Sequence, residues 1–199
     1  GIDTAIFTLV SPDDLRASLM MVFGNRLGML AALGAFMAAS FVAQSLANSQ
    51  SSPALQYAGL LLYVVAESLI FVPLLFYANT FAPQTIPAAG LLTLLIFGGL
   101  TAFVLFTKAD FSGMGTYLWW ASIAAIGIII AAIVFNFSTH IWFASLMVGL
   151  MSGYIIYDTS NILHRYRTDQ HVPAALALFA SITTLFYYLL RLLMELKGR

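Results

Sequence analysis

Six long apolar segments follow one another along the chain, each close to the roughly 20 residues that a helix needs to cross a bilayer. They cover residues 28–47, 54–79, 87–107, 117–138, 140–163 and 172–195. The segments between them are short and rich in Gly, Pro, Asn and Ser, so consecutive helices should be antiparallel neighbours. The pattern predicts an all-α, polytopic membrane helix bundle in which residues 28–199 form a single transmembrane helical domain.

Residues 1–27 have a different pattern, because five charged residues interrupt their apolar positions. The apolar segments 3–10 and 15–23 are each too short to cross a bilayer. We interpret residues 1–27 as a lead-in or interfacial segment. Since the chain begins at Gly1 rather than Met, we expect its natural sequence to continue upstream.

The composition agrees with a membrane protein: 61% of the residues are hydrophobic, 8% are charged, and the mean hydropathy is +0.94. Eight basic residues balance eight acidic ones, which leaves no basic surface for nucleic acid. Cysteine is absent, so disulfides, thiolate metal sites and a cysteine nucleophile are excluded. The expected partner is the lipid bilayer, and the composition suits a bacterial inner membrane.

Two acids, Glu67 and Asp158, lie inside segments that otherwise carry no charge. A charged side chain at the centre of a bilayer costs about 2.5 to 3.5 kcal/mol even on lenient scales, so such acids are candidates for function. We predict that Glu67 and Asp158 form a titratable or cation-binding pair along a polar pathway. The alternative is that each acid is neutral or ion-paired and only holds helices together.

Polar residues also recur at helical spacing in the last two segments, at Tyr154, Asp158, Asn161 and Arg165, and again at Ser181, Thr184, Tyr188, Arg191 and Glu195. A short loop joins the two segments, so antiparallel packing should set Asp158 against Ser181 and Thr184. The spacing predicts an interior polar seam formed by Asn161, Ser181, Thr184, Tyr188 and Arg191. With Asp158 and Glu67, the seam offers oxygens for a weak calcium site.

Signatures of enzymes are mostly missing, since the sequence has no H-E-x-x-H, G-x-S-x-G or P-loop. Ser160 and His164 form an S-x-x-x-H like that of a multi-span zinc hydrolase family, but the H-x-x-x-H expected in a later span is absent. We therefore expect neither an enzyme nor a cofactor, with calcium only as a permeant ion.

Two motifs in the last segments resemble the closing helices of the Bax inhibitor-1 family, also called the transmembrane Bax inhibitor motif family. They are Ile155-Ile-Tyr-Asp-Thr-Ser-Asn-Ile-Leu-His164 and Ala174-Ala-Leu-Ala-Leu-Phe-Ala-Ser-Ile-Thr-Thr-Leu-Phe-Tyr-Tyr-Leu-Leu-Arg191. Lys108-Ala-Asp-Phe-Ser112 and Phe71-Val-Pro-Leu74 support the match. The resemblance implies seven helices with the last one central, so the six segments would be helices two to seven, with the first upstream of Gly1.

The resemblance also implies a calcium leak that is gated by protonation of paired aspartates on the last two helices. Asp158 matches the first aspartate, whereas the second falls on Ser181. The basic residue that locks the pair in some prokaryotic relatives is not evident in residues 44–56. Glu67 is therefore the acid that we expect to replace the second aspartate.

These observations lead to three hypotheses from different classes. The first is a pH-sensitive cation leak channel, with calcium as the ion and with Asp158 and Glu67 as its carboxylates. The second is a regulatory membrane protein that binds another membrane protein, such as a quality-control protease, and transports nothing. The third is a zinc-type intramembrane hydrolase.

Overall fold

The computed structural model describes residues 12–49 and 52–198, and these residues form seven α-helices and one short 3-10 helix. The α-helices are α1 Pro12–Phe23, α2 Arg26–Ala47, α3 Pro53–Phe81, α4 Thr85–Thr107, α5 Gly115–Phe135, α6 Ile141–His164 and α7 His171–Lys197. The 3-10 helix, Ser112–Met114, lies just before α5.

The six predicted spans are confirmed, since each corresponds to one of the helices α2 to α7. All six are long and apolar enough to cross a membrane. Helix α1 covers the whole of the second short apolar segment, residues 15–23. The first, residues 3–10, lies outside the described residues.

Polar residues fix several helix ends. The Asn25 side chain accepts a hydrogen bond of 2.6 Å from the backbone N–H of Gly28 and so caps α2. Ser52 caps α3 in the same way, and Pro53 follows at the first helical position. Lys108 and Asn136 directly follow helices α4 and α5, and their left-handed φ angles of 52° and 57° stop the two helices.

Helix α7 occupies the centre of the bundle, as the family resemblance implied. It packs against α2, α3, α4 and α6. Its residues Leu185 and Leu190 are fully buried in the main apolar cluster. Because each helix reverses the direction of the one before it, the α4–α5 and α6–α7 loops lie at one end of the bundle, called here the α6–α7 end. The α3–α4 and α5–α6 loops lie at the other, called the α5–α6 end.

Helices α2 and α3 approach each other most closely at Gly59. A Cβ atom at Gly59 would lie 2.5 Å from the carbonyl oxygen of Ala43 and 2.6 Å from the amide nitrogen of Ala47. Both alanines are fully buried. Small residues at this crossing therefore let the two backbones touch, as is common between membrane helices.

Candidate functional site

Asp158 and Ser181 meet in the interior, where α6 packs antiparallel to α7. The Ser181 hydroxyl donates a hydrogen bond of 2.6 Å to Asp158 Oδ2. Both residues are buried. This length is typical of a hydroxyl that binds a carboxylate. The structure thus confirms the predicted alignment of Asp158 on α6 with Ser181 on α7.

A cavity of about 350 Å³ lies beside this bond, between α2, α6 and α7. It reaches the α6–α7 end, where Asn48, Tyr166 and Pro173 line it. Asp158 is the one charged residue among those that line it within the described part of the chain. The other polar side chains that line it are neutral: Gln44, Asn48, Tyr154, Tyr166, Ser181 and Thr184.

Tyr166 lies in the loop that follows α6, at the end of this cavity. Burial raises the pKa of its hydroxyl, and the nearby negative charge of Asp158 raises it further. The Tyr166 hydroxyl is therefore neutral at physiological pH. It presents an oxygen at the α6–α7 end of the cavity without adding charge.

Glu67 lies on a different side of α7. The Thr183 hydroxyl donates a hydrogen bond of 2.9 Å to Glu67 Oε1, and Tyr63 lies one turn earlier on the same face of α3. Glu67 is 5% exposed. Its Oε2 atom is buried and has no hydrogen-bond partner among the described residues.

The structure does not bring Glu67 and Asp158 together as the direct pair that we expected. Their partners on α7, Thr183 and Ser181, are two residues apart, which is a rotation of about 200° around a helix. The acids therefore face roughly opposite sides of α7, whose body is about 10 Å across. Ser181 itself is the hydrogen-bond partner of Asp158 at the position where the family places its second aspartate.

The remaining residues of the predicted seam extend along the interior of α6 and α7. Thr184 lines the cavity with Asp158, and Asn161 is buried one turn further along α6. Tyr188 is buried beyond the cavity. Arg191 lies still further along α7, where its Nη2 atom donates hydrogen bonds of 2.6 Å to the backbone and side-chain oxygens of Thr139. Arg191 thus binds neither acid of the candidate site.

Sequence reasoning missed Thr183 and two amide side chains, Gln44 in the last turn of α2 and Asn48 directly after it. Thr183 and Tyr187 are four residues apart, and this interval could have revealed a second polar face of the helix. Gln44 and Asn48 are also four residues apart, at the end of an otherwise apolar segment. Their spacing of four residues could have indicated that both side chains lie on one face of the helix.

Ser160 connects the α4–α5 loop to α6. Its Oγ atom accepts a hydrogen bond of 2.8 Å from the Phe111 N–H and donates one of 3.4 Å to the Ala109 carbonyl. His164 Nδ1 lies 3.0 Å from the backbone oxygen of Ser160, not from its hydroxyl. No group of three metal-ligating side chains occurs within residues 12–49 and 52–198. The hydrolase hypothesis gains no support from this arrangement.

Several curated proteins are similar to this chain. Bax inhibitor 1 of Schizosaccharomyces pombe is 33% identical over 123 residues, which are 59% of this chain and 45% of that protein. Protein lifeguard 4 of Mus musculus is 35% identical over 109 residues, or 53% and 44% of the two chains. A membrane protein of Vibrio cholerae is 34% identical over 115 residues, or 56% and 50%. The chain thus spans about half the length of these relatives.

Nearly the whole chain also matches one family model. That model describes the inhibitor of apoptosis-promoting Bax1, and it covers residues 3–198. The match includes all six membrane-spanning helices and both closing motifs. This integral, multi-pass membrane protein therefore belongs to the Bax inhibitor-1 family.

Proposed function

We propose that this protein is a pH-sensitive cation leak channel with calcium as its permeant ion. The observation that carries the proposal is the cavity of about 350 Å³ in which Asp158 is the one charged residue among the described residues that line it. A carboxylate of this kind, inside a membrane bundle and next to an open space, attracts cations. Family membership supports the proposal.

The residues that line the cavity suit weak calcium binding. Calcium takes six to eight oxygen ligands, and its affinity falls as the number of charged ligands falls. Asp158 would supply the charge, Ser181 and Thr184 would supply hydroxyl oxygens, and Gln44 and Asn48 would supply amide oxygens. A site with one carboxylate releases its ion readily, as conduction requires.

Glu67 is the second carboxylate of the proposed pathway, but it acts at a separate position. Because it faces another side of α7, it does not share an ion with Asp158. Its unpartnered Oε2 atom leaves room for a proton or a cation. We therefore assign Glu67 a supporting role in pH sensing and Asp158 the main role in cation binding.

The leak should weaken in acid, because protonation of Asp158 removes the charge of the cavity. The Asp158→Asn variant should combine a low flux with little dependence on pH. If the flux of this variant still depended on pH, another residue would be the pH sensor. Glu67 would be the next residue to test, with the Glu67→Gln variant.

Calcium flux into liposomes tests the proposal. Purified wild-type protein, Asp158→Asn, Glu67→Gln and the double variant are reconstituted at equal density with a calcium indicator inside the vesicles. Asp169→Asn is the matched control, since Asp169 lies in an exposed loop with a side chain that is 68% exposed. We expect a low flux from Asp158→Asn and the double variant. Equal flux from the wild type and the double variant would rule out the carboxylate pathway.

A wild-type flux no greater than that of protein-free vesicles would overturn the leak and favour a protein that regulates a membrane partner. We propose a bacterial inner membrane as its location. Relatives from Vibrio cholerae and Campylobacter jejuni support this location. Co-purification from native membranes would then identify the partner.

A further inference from the structure

The polar face of α7 continues beyond the cavity toward the α5–α6 end. Ser181 and Thr184 line the cavity, and Tyr188, Arg191 and Glu195 follow at helical spacing on the same face. Ten residues separate Ser181 from Arg191, which corresponds to about 15 Å along the helix axis. A cation that left the cavity along this face would meet Tyr188 first and Arg191 second.

Tyr188 lies one turn beyond Thr184, on this side of the cavity. It is 7% exposed, and its ring packs edge to face against Phe143 of α6, with the ring centroids 6.0 Å apart. Met147 and Met151 of α6 are buried in the same apolar cluster. The cavity is therefore separated from the α5–α6 end by apolar and aromatic side chains, which must move before any ion passes.

Arg191 lies just beyond this aromatic contact and is held by the α5–α6 loop. Its two hydrogen bonds to Thr139 are each 2.6 Å long, whereas its Nε atom lies 3.4 Å from Glu195 Oε1. The side chains of Arg191 and Glu195 are 28% and 32% exposed. The short bonds thus connect Arg191 to neutral oxygens, and the one acid bound to it is the more distant partner.

The positive charge of Arg191 is therefore only partly compensated, at a point where the surrounding helices exclude much of the water. Arg26 and Lys197 also lie at the α5–α6 end. Arg26 donates a bond of 3.3 Å to the Val134 carbonyl at an exposed position, and Lys197 is exposed at the end of α7. Exposed charges are screened by water and salt, so their effect on an ion inside the bundle is weaker than that of Arg191.

We propose that Arg191 is the charge barrier that restricts cation flow at the α5–α6 end of the pathway, and that Glu195 sets its strength. The proposal rests on the cation leak proposed above and adds the residue that limits it. A fixed positive charge in a narrow passage repels cations and does not repel anions. The energy of this repulsion is proportional to the charge of the ion, so it is twice as large for calcium as for potassium.

The test measures fluxes of calcium, potassium and chloride through liposomes that contain the full chain or its variants. Arg191→Gln should increase the calcium flux about tenfold and the potassium flux about threefold, because doubling the ionic charge squares the effect. The chloride flux should not rise. Glu195→Gln should lower the calcium and potassium fluxes, since it removes the acid that offsets the charge of Arg191. Arg191→Lys retains the charge and should retain the low flux.

The matched control is the ion pair of Arg167 and Asp169, which has a similar length of 3.3 Å but side chains that are 79% and 68% exposed. Arg167→Gln and Asp169→Asn should leave all three fluxes within about twofold of the wild type, because exposed charges are screened. If Arg191 only holds the helices together, Arg191→Gln and Glu195→Gln should act in the same direction and should also admit chloride. That result would overturn the barrier.

The outcomes also separate the barrier from the leak itself. A wild-type flux that falls in Asp158→Asn but is unchanged in Arg191→Gln would support the leak and refute the barrier. If neither the wild type nor Arg191→Gln conducted more than protein-free vesicles, the leak and the barrier would both be refuted.

Discussion

The hydrogen bond between Ser181 and Asp158 should stabilise the fold more than an ordinary polar contact between the helices. It is 2.6 Å long and involves a carboxyl group, and the two residues are 5% and 7% exposed. Hydrogen bonds to charged groups contribute about 1.5 to 3 kcal/mol in soluble proteins. Interhelical hydrogen bonds within membranes average about 0.6 kcal/mol and reach about 1.7 kcal/mol. We expect a coupling free energy near the upper membrane value, about 1.5 kcal/mol.

A double-mutant cycle measures this coupling. The free energy of unfolding is determined in mixed detergent micelles for the wild type, Asp158→Ala, Ser181→Ala and the double variant. The internal comparison is the neutral, half-buried pair of Ser122 and Tyr154, whose hydroxyl oxygens lie 2.9 Å apart between α5 and α6. Its cycle, from Ser122→Ala and Tyr154→Phe, should give about 0.5 kcal/mol. Equal couplings in the two cycles would refute the special strength of the Asp158 contact.

Two further predictions concern packing and the α4–α5 loop. Gly59→Ala should lower the free energy of unfolding by about 1 to 3 kcal/mol, since the added Cβ would meet backbone atoms of α2. Gly98→Ala, where no atom lies within 4 Å of the added Cβ, should be neutral or slightly stabilising; similar losses from both variants would contradict the close approach. Hydrogen bonds from Ser112 lower the pKa of the exposed Asp110 carboxyl group, so they stabilise the loop above the unfolded pKa and lose that effect as the pH falls through the folded value. Ser112→Ala removes the hydroxyl but keeps the backbone N–H that donates a bond of 2.9 Å to Asp110, so it should raise the pKa of Asp110 part of the way toward its ordinary value in an NMR titration. An unchanged value would assign the lowered pKa to the backbone bond and to other groups.

Much of the fold follows from the apolar segments alone. Their lengths and the polar residues between them predicted six helices, because a bilayer sets the length of any helix that crosses it. The alignment of α6 with α7 was also predictable, since a short loop and two polar series allow few arrangements. The Asp158 to Ser181 contact is a consequence of that alignment.

The separation of Glu67 from Asp158 could not be predicted in the same way. Helical spacing shows which face of α3 or α6 carries an acid, but it does not show that α7 lies between them. The adjacent residues Thr183 and Thr184 illustrate the difficulty, because they point about 100° apart on the helix. Thr183 binds Glu67, whereas Thr184 faces the cavity of Asp158. Only the packing of the helices around α7 decides between these partners.

The calcium flux of Asp158→Asn, relative to that of Asp169→Asn at the same protein density in liposomes, is the most direct test of the Asp158 cavity as the cation site. Each variant removes one carboxylate, one inside the bundle and one from an exposed loop. We expect Asp169→Asn to match the wild type and Asp158→Asn to conduct about tenfold less, because the cavity loses its one charge. Equal calcium fluxes from the two variants would show that the calcium flux does not depend on the Asp158 cavity.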